Sequence, residues 1–129
     1  MIGVRVRIAA GMGAAAVALG AFGAHGLEDL VTADRLATWE TASRYHLVHA
    51  VVLLVLALAL GVSSTTRWAI WPFRLILTGT LVFATSLYGL VLFDKPILGA
   101  ITPIGGVLLI SGWLALLLPD QRHSERGPT

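Results

Sequence analysis

Four stretches of this chain hold no Asp, Glu, Lys or Arg: Ile8 to Ala24, Tyr45 to Thr66, Leu75 to Phe93 and Pro96 to Pro119. Each is near the ~20 apolar residues that carry a helix across a bilayer. In hydrocarbon every backbone N–H and C=O must be bonded inside the protein, so uncharged runs of this length fold as helices. The pattern predicts an all-α protein: a four-helix transmembrane bundle with spans at about 6–24, 45–62, 75–93 and 103–118, followed by a polar tail at 119–129. Composition agrees, with 12% of the 129 residues charged and 57% hydrophobic; a soluble domain carries about 25% charged residues. Four spans leave no room for a sizeable soluble catalytic domain. The absence of cysteine excludes disulfides, thiolate metal sites and cysteine nucleophiles.

The charges that remain carry orientation. If the spans alternate, Arg5, Arg7, Arg67, Arg74, Arg122 and Arg126 share one side, against Arg35, Arg44 and Lys95 on the other. The positive-inside rule then places both termini and the tail in the cytoplasm, in the inner (plasma) membrane of a cell. Trp68 and Trp71 beside Arg67 and Arg74 fit an aromatic and basic anchor at that inner interface. Scattered arginines of this kind face lipid headgroups and give no nucleic-acid stripe. Arg5 and Arg7 before an apolar run and Ala21-Phe22-Gly23-Ala24 also describe a secretory signal peptide. The packing stripe within that run favours a retained helix.

The longest connection, His25 to Arg44, lies on the opposite side. Leu27, Leu30, Val31, Leu36 and Trp39 alternate there with Glu28, Asp29, Asp34 and Glu40, an amphipathic segment expected at the interface between helices one and two. Thr32 is the expected N-cap of a helix that starts at Ala33 and runs unbroken into the second span, with Glu40 and Arg44 paired at i and i+4.

Several side chains within the spans are candidates for chemistry. Ala16, Gly20 and Ala24, at every fourth position of helix one, form a groove for close helix packing, for a small solute or for a second copy of the chain. Trp39, Ala42, His46, His49 and Leu53 follow spacings of three and four, so both histidines lie on one helical face, with Tyr45 one turn before His49. An imidazole inside a span is by default a functional candidate. The alternatives are a neutral histidine bonded to a nearby carbonyl or hydroxyl, a proton or ligand handler, or a metal ligand. His25 and His49 are weak metal candidates, because the spacing lacks a recognised metal pattern.

Ser86 and Tyr88 in helix three either bond backbone or line a polar pocket. Helix four is expected to start with Thr102 as N-cap and Pro103 at the first helical position, with Gly105 and Gly106 permitting close approach of a helix or ligand. The apolar Pro96 to Ile101 segment before it is expected at membrane depth without being helical. With alternating spans, His25, Trp39, Tyr45, His46, His49, Ser86, Tyr88, Thr102, Gly105 and Gly106 all fall in the outer half, as a polar network or an outward-facing pocket.

These residues also carry a resemblance. Gly20-Ala21-Phe22-Gly23-Ala24-His25-Gly26-Leu27, Trp39 to Ala42 with Tyr45 and His49-Ala50, Ser86-Leu87-Tyr88, Ile101-Thr102-Pro103-Ile104-Gly105-Gly106 and Gly112-Trp113 together resemble the YgdD/YwdK-type small membrane proteins, a domain of unknown function. The resemblance implies a four-helix inner-membrane protein without an established activity. It differs at His46, where that family usually has glutamine, and at Ala84-Thr85, where serine and glycine usually precede Ser86. The resemblance thereby favours His25 and His49 over His46 as ligands. The leading expectation is a non-enzymatic scaffold or accessory subunit of a membrane complex, in contact with the bilayer and with other subunits or itself. The alternative is small-solute or proton binding and transport through the outward His/Tyr pocket. No nucleophile with an oriented base is recognisable, and no cofactor is expected.

Overall fold

The computed structural model describes residues 3–62 and 68–118. The tail at 119–129, and with it Arg122 and Arg126, and Arg67 of the hairpin lie outside the described residues. All regular structure among the described residues is helical. Helix α1, Val4–Phe22, continues through a π-helical turn, Gly23–Leu27; α2 is Ala33–Val62 and α3 is Ile70–Phe93. A 3-10 turn, Pro96–Ala100, then leads into α4, Thr102–Ala115. The four rods, each taken with its adjoining turn, are long and apolar enough to cross a membrane, with mean hydropathies from 1.5 to 2.3.

The element boundaries have local causes. Thr32 caps α2: the Arg35 amide donates to its Oγ1 at 3.4 Å and the Leu36 amide to its carbonyl at 2.9 Å. From there α2 runs 30 residues without a break, about 45 Å, as its sequence predicts. Glu40 and Arg44 on it are exposed and form no ion pair with each other. Of the apolar residues of the connection, Leu27 and Trp39 are buried, Val31 and Leu36 are half-buried, and Leu30 is exposed. Helix α3 starts five residues ahead of the charge-free run. A terminal arginine such as Arg74 keeps its head in water while its stem follows the helix, and Pro72 sits in the first turn, where its missing N–H costs no bond. Asp94 ends α3 in the left-handed region, at φ 49°, and its Oδ1 accepts from Arg35 Nη2 at 2.6 Å.

Two expectations for the start of α4 are corrected. Thr102 lies inside the helix and caps nothing; Ile101 is the capping residue and lacks a side-chain acceptor. The Thr102 hydroxyl bonds Ser86 Oγ and the Leu98 carbonyl instead. Pro96–Ala100, expected to be irregular, forms a 3-10 turn, which pairs backbone groups locally ahead of α4.

The helices pack in chain order, α1 on α2, α2 on α3 and α3 on α4, and among the described residues α1 and α4 do not approach each other. The end carrying the π turn and the 3-10 turn is the connection end; the opposite end, with Gly3, Val62 and Trp68, is the terminal end. Near the terminal end the core is wholly apolar, built from Leu53, Leu56, Phe73, Ile76 and Leu109. Toward the connection end it becomes aromatic, around Trp39 and Tyr88.

Helix α1 meets α2 along Ala9, Gly13, Ala16, Gly20 and Gly23: Ala9, Ala16 and Gly23 are buried, while Gly13 faces Ala50 and Gly20 faces Ser43. The expected every-fourth stripe of Ala16, Gly20 and Ala24 is therefore only partly right, because Ala24 is exposed. Each step of four overshoots a 3.6-residue turn by about 40°, so a face persists only when steps of three and four alternate.

Candidate functional site

The polar candidates gather around α2. Its residues His46 and His49 flank the midpoint of the helix, and both are 6% exposed. Tyr45, one turn from His49, packs on Phe83 with ring centroids 4.7 Å apart, level with the middle of α3.

His49 has both ring nitrogens engaged. Nδ1 lies 2.7 Å from the Tyr45 carbonyl, which accepts only, so Nδ1 carries the proton. Trp113 Nε1–H donates to Nε2 at 3.1 Å, so Nε2 offers its lone pair. The two partners together define a neutral imidazole with a single tautomer. Its ring stacks on Tyr45 at 5.9 Å and meets the Trp113 ring edge-on at 6.2 Å. Tyr45 itself is 44% exposed and stands at the rim.

His46 is half engaged. Its Nδ1 lies 3.3 Å from the Tyr88 hydroxyl, while Nε2 is, among the described residues, the buried side-chain nitrogen or oxygen that lacks a partner. Tyr88 also packs against Trp39 at 4.5 Å, and Trp39 against Phe22 at 5.7 Å. The Trp39 indole N–H donates to the Leu19 carbonyl of α1 at 2.7 Å. A Cβ on Gly23 would stand 2.5 Å from the Trp39 ring, and one on Gly26 would stand 2.7 Å from the Phe22 ring. These glycines make the π turn a seat for two aromatic rings, which a helix of larger residues could not offer.

A third group joins α3 to α4. The Ser86 and Thr102 hydroxyls are 2.8 Å apart, and Ser86 also donates to the Phe83 carbonyl at 2.9 Å. Beside them Gly105 lies against backbone: its Cβ would meet Phe83 N. Gly106, next in sequence, faces open space, so it lines nothing shared with the other candidates. His25 is exposed on the π turn, apart from these contacts. Among the described residues no group of three His, Cys, Asp or Glu is placed to hold a metal ion.

The structure thus brings Trp39, Tyr45, His46, His49, Ser86, Tyr88, Thr102 and Gly105 into connected layers and leaves His25, Ala24 and Gly106 outside them. The sequence motifs include Gly23 and Trp113 but do not give their contacts, and Phe83 stands in none of them. Trp113 carried a usable signal, since an indole N–H in an apolar span needs an acceptor and a histidine nitrogen is one of the few on offer. Two clefts among the described residues lie elsewhere, one at each end of the bundle.

The architecture and the buried network define a small multi-pass helical membrane protein. A family model described as "Protein of unknown function (DUF423)" matches residues 19–106. The chain is 49% identical over 110 residues to a UPF0382 membrane protein of Staphylococcus epidermidis, covering 84% of this chain and 88% of that one. It is 45% identical over 104 residues to a UPF0382 membrane protein of Staphylococcus aureus, covering 80% and 83%, and 46% identical over 104 residues to one of Staphylococcus saprophyticus, covering 80% and 84%. No solved structure matches the chain. The chain belongs to the DUF423 family of membrane proteins, in keeping with the resemblance read from its motifs.

Proposed function

We propose that the protein is a non-enzymatic scaffold or accessory subunit of a membrane complex. The observation that carries this reading is the free side of α1. Among the described residues α1 packs only on α2 and on its own π turn, and Gly11, Ala14, Ala18 and Ala21 are exposed on the opposite side. Nothing lies within 4 Å of the position of a Gly11 Cβ. Helices associate in lipid through small residues that let backbones approach, so this face suits a partner helix. In the same reading the buried His, Tyr and Trp layer serves to hold the helices in register. Extraction in mild detergent followed by mass measurement tests the proposal: a particle heavier than one chain plus its detergent is expected, and a free monomer alone would contradict it.

A second reading, small-solute or proton handling, rests on the unpartnered His46 Nε2. It requires that His46 Nε2 take up a proton or a ligand; a nitrogen-15 signal of that atom that stays unchanged across about pH 5 to 8 and on adding candidate solutes would remove its basis. For topology, the arginine bias supports cytoplasmic termini in the inner membrane. The chain has no cysteine, so single-cysteine variants at Gly3 and Lys95 report sidedness directly. A membrane-impermeant maleimide applied to intact cells is expected to label Lys95→Cys and spare Gly3→Cys, and the reverse pattern would invert the assignment.

A further inference from the structure

At the terminal end a cleft of about 750 Å³ opens between α1, α2 and α3. Its walls are apolar, with Val4, Ile8, Leu58 and Phe73 among them, and Arg5 and Arg74 are the charged side chains among the described residues that line it. Both arginines are exposed. The ion pair found among the described residues, Arg35 with Asp94, lies at the other end of the bundle, so among the described residues no carboxylate pairs with Arg5 or Arg74. The Arg74 guanidinium lies 5.4 Å over the ring of Trp71. Trp68 and Trp71 are exposed at the start of α3, as side chains at a bilayer's headgroup level are.

An occupant must therefore be anionic at the mouth, apolar along the walls and present at the membrane surface. A guanidinium binds phosphate oxygens through paired N–H groups, and basic pockets between membrane helices suit acidic lipid headgroups. The volume is within the ~300–1,000 Å³ typical of ligand sites. We propose that this cleft binds one anionic phospholipid, its phosphate held by Arg5 and Arg74 and an acyl chain laid along Val4, Ile8 and Leu58. A free phosphate would meet the arginines but leave the apolar walls unused.

The test uses the full chain in mild detergent, incubated with equal phosphatidylglycerol and phosphatidylcholine, with retained lipid counted by native mass spectrometry. One phosphatidylglycerol per chain is expected, at least tenfold over phosphatidylcholine. The Arg5→Gln/Arg74→Gln double variant is expected to lose that retention at least tenfold, whereas Arg35→Gln, at the far end, keeps it. Leu58→Trp, which fills the cleft with both arginines in place, is expected to displace the lipid too, so the outcome does not hang on one variant's folding. Equal retention of both lipids, undiminished retention in the double variant with wild-type helical content, or displacement by excess inorganic phosphate would each overturn the proposal.

Discussion

The two sides of α3 are joined to their neighbours in different ways. Toward α4 the seam is cut from glycine. A Cβ on Gly79 would stand 2.8 Å from Leu109 N, one on Gly112 3.1 Å from Ile76 N, and one on Gly105 closer still to Phe83 N, so backbone lies close on backbone. Toward α2 the seam is made of rings and a hydrogen bond: Tyr88 meets His46, and Trp39, itself bonded to Leu19 of α1, packs on Tyr88. Lipid supplies no hydrophobic force that distinguishes one apolar surface from another, so membrane helices rely on close packing and polar bonds. Close backbone approach dominates the α3–α4 seam, with the Ser86–Thr102 bond beside it, and rings with polar bonds dominate the α2–α3 seam.

Substitutions break or sharpen that contrast. The largest loss is expected at Trp39→Ala, which removes a ring 1% exposed from the centre of the ring seam. About 3–5 kcal/mol is the cost of such a deletion, read as a shift in unfolding by circular dichroism in micelles. Trp39→Phe keeps most of the ring and loses the bond to Leu19, for about 1 kcal/mol. On the glycine seam, Gly105→Ala is expected to cost up to about 3 kcal/mol, because the obstructing atoms belong to the Phe83 backbone and cannot turn aside. Its neighbour is the control: Gly106→Ala meets nothing within 4 Å and should be neutral or gain up to about 1 kcal/mol of helix propensity. Equal effects at the two glycines would remove the backbone-contact account. Tyr88→Phe and Trp113→Phe each delete one interhelical bond and should cost about 0.6 kcal/mol apiece. Smallest is Arg35→Gln, whose partner Asp94 is 81% exposed; an exposed ion pair contributes about 0–1 kcal/mol.

The four spans were legible because charge exclusion acts over whole helices and survives without tertiary information. The face shared by Trp39, Ala42, His46 and His49 was legible too, since spacing alone puts residues on one side of a helix. The pairing of that face was hidden. His49 meets Trp113 of α4, across 64 residues of sequence, and no periodicity within one helix encodes which turn of another lies opposite. Thr102 shows a different limit: a threonine before a proline reads as a cap, but the Ser86 hydroxyl and the Leu98 carbonyl offered it other partners. Gly105 and Gly106 are identical in sequence and opposite in role, because only the rotation of α4 determines which one faces α3.

The central claim about the site is that its imidazoles bond the bundle's own helices together, and His49 tests this most directly. Nitrogen-15 NMR of histidine-labelled protein in micelles reports which ring nitrogen carries the proton. The account predicts a proton on Nδ1 and a bare Nε2 that accepts from the Trp113 indole, with the Nε2 signal alone shifting in Trp113→Phe. A proton on Nε2, or a spectrum indifferent to Trp113, would contradict it.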